Sequence, residues 1–207
     1  MYSHKSLTLI ELLISLTLFA IIILGVTAFN MGSRFFLEST DRKVKVLNEL
    51  TFILSHIDKN VLLSLGDINN PAVDVVSPTT VRIRQDIFYD SGGYPQPLDT
   101  PQDPSDDNWV EYDIGPGADT TALDFCPNSP STGNCSVSWV RLTNRLVRDA
   151  NPVDDVYFSQ NFTDGLLRLN NLILVYDPSD PNRDAVTNPA VRAHTPVAFN
   201  SFGHSMQ

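Results

Sequence analysis

Three groups of residues in this 207-residue chain have the type and spacing to do chemistry. The first is Glu11, which stands just ahead of Leu12 to Ser33, 22 consecutive residues without a charge. An ionised carboxylate deep in apolar surroundings costs on the order of a few kcal/mol and is kept only with a partner. No Lys, Arg or His follows within two helical turns. The partner therefore comes from the chain's own start or from another molecule, unless Glu11 marks the edge of the apolar layer and reaches water. The second group is Cys126 and Cys135, the only cysteines, with eight residues between them. Buried thiols, a metal site and a bridge are all conceivable, but no further Cys and no nearby His completes a metal site. The third group is Asp177, Asp180, Asn182 and Asp184, where Asp180-Pro181-Asn182-Arg183-Asp184 has the alternating oxygen ligands of a calcium loop. The glycine and terminal Glu of such a loop are missing and Arg183 opposes a cation, so a plain turn is expected. Elsewhere, His4, His56, His194 and His204 form no motif with a nucleophile, a metal pair or a phosphate loop. Gly115-Pro116-Gly117 is a turn, and the acid pairs Asp106-Asp107 and Asp154-Asp155 are expected in water. The chain offers no catalytic residue and no cofactor is expected, with calcium in the Asp180–Asp184 loop as the alternative to a plain turn.

The element that positions Glu11 is a helix. At about 1.5 Å per residue the uncharged run spans roughly 33 Å, enough for a bilayer core. It is apolar around its whole circumference, which argues against the buried helix of a soluble domain. It is also longer than the roughly 7–15 apolar residues of a cleavable secretory signal. Beyond it, Leu47, Leu50, Leu54, Ile57 and Val61 recur at spacings of three and four, preceded by Val44 and followed by Leu62 and Leu65. That stripe predicts an amphipathic continuation over 34–65, with Arg42, Lys43, Lys45, Glu49, Asp58 and Lys59 on the other face and a stop at Gly66-Asp67.

Residues 66–207 read as strands and loops. Val81, Ile83 and Ile87 share one parity, with Arg82 and Arg84 on the other. Trp109 to Ile114 is a second strand. Val137 to Leu142 is a third, turning at Thr143-Asn144 into a hairpin with Arg145 to Arg148. Leu166 to Tyr176 is the last. The expected fold class is α+β, a long N-terminal helix on an antiparallel sheet.

Lys5-Ser6-Leu7-Thr8-Leu9-Ile10-Glu11-Leu12-Leu13 resembles the N-terminal signature of type IV pilins and type II secretion pseudopilins. The resemblance implies a leader over 1–6, cleavage by prepilin peptidase between Ser6 and Leu7, and N-methylation of Leu7. It implies a transmembrane and filament-core helix over 7–33 and a pilin-like head over 66–207. It also implies that Glu11 pairs with the Leu7 amine of an adjacent subunit, which would supply the missing cation. Implied partners are other pilin or pseudopilin subunits, the peptidase, inner-membrane lipid and an assembly platform. Two positions depart from the family's usual pattern: Ser6 stands where Gly is usual, and Ala28 where many major pilins have a kinking Pro. The chain is in that respect more similar to minor pilins and minor pseudopilins. A major pilin, or a membrane-anchored enzyme or binding domain with a borrowed leader, is the alternative.

Charge alone orients the span poorly. Lys5 precedes it and Arg34, Arg42, Lys43 and Lys45 follow, which would leave the C-terminal part in the cytoplasm. The resemblance implies the reverse, with the head in the periplasm. In that oxidising compartment Cys126 and Cys135 are expected to be bridged. The net charge of −10 argues against a general nucleic-acid binder. All of it comes from Gln85 to Val140, which has ten acids and no Lys or Arg and is expected to be a solvated loop region.

Overall fold

The computed structural model describes residues 8–64, 72–85, 87–89, 95–97, 108–116, 119–129, 135–149, 154–161, 166–193 and 197–200. The fold is α+β, as the residue pattern predicts. One helix, α1 (Leu9–Leu62), runs for 54 residues. It continues through Ala28 without interruption, as a segment free of proline should. Its described end lies at Leu62, with Leu63 as the cap, short of the expected stop at Gly66-Asp67, which falls outside the described residues.

The head is built from antiparallel sheets. The largest has five strands in the order β1 (Val73–Ser77), β2 (Thr80–Gln85), β5 (Asn108–Ile114), β6 (Leu123–Cys126) and β7 (Val140–Thr143). Between β2 and β5 lies the pair β3 (Ile87–Tyr89) and β4 (Pro95–Pro97). A three-stranded sheet joins β8 (Tyr157–Asn161), β9 (Leu166–Asn170) and β12 (Val197–Asn200), and β10 (Ile173–Val175) pairs with β11 (Ala190–Arg192). The β5–β6 connection starts at Gly115, whose φ of 69° is open to glycine and strained for other residues. A Cβ there would also lie 2.5 Å from the Arg148 guanidinium.

The upper half of α1 lays Val46, Leu50, Ile53, Ile57 and Val61 against Val81, Ile83, Val110 and Tyr112 of the large sheet and Leu167, Leu169, Leu172 and Leu174 of the others. This corrects the expected stripe. Leu50, Ile57 and Val61 are buried as expected and Leu54 packs part-buried against the core, but the fully buried places also go to Val46 and Ile53, and Leu47 stays outside. Val46 and Leu47 both fit helical spacing. The head lies on the side chosen by Val46, which leaves Leu47 about half exposed. Glu49, placed on the solvent face by pattern, turns to the head, where it accepts from the Thr143 hydroxyl and lies 3.4 Å from Arg145.

Three strand expectations also change. Arg84 shares its parity with Arg82 as predicted but is fully buried. The hairpin around Asn144 does not form. Its first arm, β7, pairs with β6 instead. The Thr143 hydroxyl accepts from the Arg145 amide and turns the chain, and residues 145–147 bond to Thr121, Ile173 and Val175. The single strand from Leu166 to Tyr176 divides into β9 and β10 in different sheets. The break is Asn171, held in the left-handed region (φ 53°) with its side-chain amide donating to the Asp155 carbonyl.

Candidate functional site

Glu11 sits in the first turn of α1. Thr8 is the N-cap. Its hydroxyl faces the Glu11 amide, and its own amide donates to Glu11 Oε2 at 2.9 Å. The Thr8 hydroxyl also donates to Oε2, at 2.8 Å. This is a capping box, readable in the sequence as Thr8-x-x-Glu11 and not drawn from it above. It pins the carboxylate at the positive end of the helix dipole. Both donors are neutral and both fall on Oε2. No cation among the described residues pairs with Glu11, so its charge has no counter-ion within them. Ser6 and Leu7 lie outside the described residues.

From Leu9 to Leu37 the large apolar side chains of α1 are bare, including Leu12, Leu16, Phe19, Ile23 and Phe29. Ser15, Thr17 and Thr27 turn their hydroxyls back onto carbonyls of the preceding turn, so they present no open donor. Among the described residues this is the one helix long and apolar enough to cross a membrane, and its most apolar stretch is not covered by the head.

Grip by the head begins just above that stretch. The segment 177–188 lies along the helix, with Ser39 donating to the Ala185 carbonyl and Arg42 to the Thr187 carbonyl. Arg42 and Arg145 flank the Tyr176 ring. Here lie Asp177, Asp180, Asn182 and Asp184. Each carboxylate accepts amides or hydroxyls of its own loop: Asp177 from Ser179, Asp180 from Asn182, and Asp184 from Val186 and Thr187. Those bonds hold the Asp177 and Asp184 carboxyls below the usual carboxylate range. Asn188, buried, ties the loop by donating to the carbonyls of Asp177, Asp180 and Asn182. Among the described residues no three His, Cys, Asp or Glu are grouped to hold a metal ion.

Cys126 and Cys135 are bridged, with their Cα atoms 5.7 Å apart. His56 lies on the helix and meets Tyr112 Oη at 2.9 Å, with Phe125 edge-on at 4.6 Å. His4, His194, His204 and the Asp106-Asp107 pair fall outside the described residues. Asp155 is not simply solvated. Burial works to raise its pKa, but the paired Arg148 guanidinium and the amides of Asp149 and Val156 outweigh that and leave it low.

Residues 1–27 match the family model described as the prokaryotic N-terminal methylation motif. The chain carries the type IV pilin and pseudopilin signature. Membrane anchoring of this pilin-like protein through its apolar helix fits that motif. The motif also implies processing by prepilin peptidase and assembly with other pilin subunits. No curated protein and no solved structure matches the chain.

Proposed function

We propose that this pilin-like protein is a structural subunit, not an enzyme, of a type IV pilus or a type II secretion filament, in a minor rather than a major role. Prepilin peptidase cuts between Ser6 and Leu7, and the new Leu7 amine is methylated. Residues 7–33 hold the protein in the inner membrane, with the head in the periplasm. The assembly platform then draws it into a filament, where the bare helix exchanges lipid for the helices of neighbouring subunits.

The observation that carries this reading is the Glu11 carboxylate. Thr8 satisfies one of its oxygens with neutral donors, and among the described residues no cation compensates its charge at the head of an apolar helix. A neighbour's N-terminal amine, made by cleavage, is a cation that suits the site. Further support comes from the flank Thr40, Val44, Leu47 and Thr51. Val44 and Leu47 are about half exposed there, and the two threonine hydroxyls bond back to Phe36 and Leu47. Such a face can be covered by another helix without stranding a side-chain donor. The unbroken helix through Ala28 favours the minor role, since kinked major subunits carry proline there.

Mass spectrometry of the mature N-terminus tests the processing, with methylated Leu7 as the expected first residue. Glu11→Ala should leave membrane insertion intact and reduce incorporation into filaments at least tenfold. Wild-type incorporation of that variant would refute the pairing.

A further inference from the structure

The face of the five-stranded sheet turned away from α1 carries charges in rows. Strand alternation puts Val81, Tyr112 and Phe125 on the helix side and Arg82, Glu111 and Cys126 on the other. Arg82 pairs across β2–β5 with Glu111, and Glu111 across β5–β6 with Cys126, so the three lie in one line. In the next row, Thr80, Asp113, Asp124 and Arg141, the buried Asp124 is paired with Arg141, whose side chain is about half exposed. In the first row Glu111 is fully buried.

Its cover is the chain just beyond Cys126. Ser129 is itself wholly buried, and its hydroxyl donates to Glu111 Oε2 at 2.6 Å. Its amide donates to the Trp109 carbonyl at 2.7 Å, and its carbonyl accepts from Arg82 at 3.0 Å. One residue earlier in β5, Asn108 donates to the Pro127 carbonyl at 2.9 Å. Arg82 spreads over the Trp109 ring, 4.6 Å from its centre, with Nε 3.9 Å from Glu111. At the far end of this cover the bridge to Cys135 closes the loop, and Ser136 donates to the Asn128 carbonyl through both its amide and its hydroxyl.

We propose that the Cys126–Cys135 bridge is a redox-sensitive latch that keeps Ser129 seated over the Glu111–Arg82 row, so that this face of the head closes only on oxidation. A carboxylate with no access to water needs its donors held in place. Hydrogen bonds tie residues 127–129 to the sheet, and with the bridge open they compete against the entropy of a free loop and the hydration of Glu111 and Arg82. Closure gives up two thiol protons and two electrons to a disulfide donor, which leaves as a dithiol. Opening by a dithiol runs the reverse exchange. The helix face of the sheet has its own apolar core and does not depend on the latch.

The test uses the full-length protein in detergent, with Trp139→Phe so that Trp109 alone reports. Reduction by dithiothreitol should raise acrylamide quenching of Trp109 about threefold and speed exchange of the Ser129 amide at least about tenfold. Protection of α1 and of the Val110 and Tyr112 amides should stay as before. The double variant Cys126→Ala/Cys135→Ala should show the same loosened face without reductant. Unchanged quenching and exchange on reduction would overturn the latch. So would a simultaneous loss of protection across the whole head, which would make the bridge a general staple.

Discussion

Ile22 and Ile53 are the same residue on the same helix, yet Ile22 is 62% exposed and Ile53 is 0%. Propensity does not separate them, since α1 is continuous through both. The difference lies in how much of the circumference is apolar. Around Ile22 every direction is apolar, and no single domain face can cover it. Around Ile53 charged residues occupy one side, and the head covers the other. One helix thus carries two solvents in its pattern. Its lower half is made for lipid or other helices, and its upper half for a private core. Ser39 and Arg42, gripped by segment 177–188, mark where the second begins.

The sharpest way to break that contrast is the same truncation in both halves. Ile53→Ala should destabilise the head by about 2–5 kcal/mol, the usual cost of emptying a packed site. Ile22→Ala should leave head stability unchanged within about 0.5 kcal/mol. Denaturant unfolding of the detergent-solubilised chain, followed by near-ultraviolet circular dichroism, reads both. Equal losses would mean that the halves are not independent.

The polar seam between helix and sheet refines the contrast, because the bare half has nothing like it. Tyr112 Oη accepts from Asn60 at 2.7 Å and meets His56 Nδ1, while Asn60 accepts from Gln85 at 2.8 Å. Burial drives the phenol's pKa well above its ordinary value, so it serves as a neutral hydroxyl. Tyr112→Phe leaves Asn60 its bond to the His56 carbonyl but removes the shared acceptor. The expected cost is about 1–3 kcal/mol, with the helix content unchanged. A cost below the error of the measurement would mean that the seam orients the helix without stabilising it.

What the residues disclosed follows the same division. The span was legible as an unbroken apolar run, and the upper helix and strand β5 because one period dominates each. The exact side of the upper helix that meets the head was not, since Val46 and Leu47 both fit helical spacing and only the sheet's position decides. The burial of Arg84 and Glu111 was hidden for a related reason. Alternation assigns them correctly to the face away from α1, but it does not reveal what covers that face, such as Ser129 over Glu111. Asn171 gave a local signal, since a second Asn inside an apolar run is a candidate for the left-handed region. At Glu11 the residue type announced a charge that needs a partner, and the Thr8-x-x-Glu11 spacing held the capping box in plain view. The counter-ion, if supplied by another chain, is written in no single sequence.

The smallest expected effect is a pH dependence confined to the head. Burial lowers the His56 pKa, and Lys59 adds to the shift. The unfolded chain therefore binds a proton near pH 6.5, while the folded chain resists it until a lower pH. Stability from this group is fully present above about 6.5 and is lost as pH falls through the folded value. Asp155 acts further down, in the carboxylate range, and in the same direction, because its pKa is also depressed. Asp113 acts oppositely. Burial raises its pKa, so it favours the folded state as it takes up a proton. Among the described residues, then, His56 is the one histidine to set a slope between pH 7.5 and about 5.5. His56→Gln should flatten the midpoint of thermal unfolding over that interval while the slope below it persists. The same scan on Ile22→Ala should follow the wild type throughout, since nothing in the bare half is coupled to the head. A variant curve that keeps the wild-type slope above pH 5.5 would assign the dependence to another group.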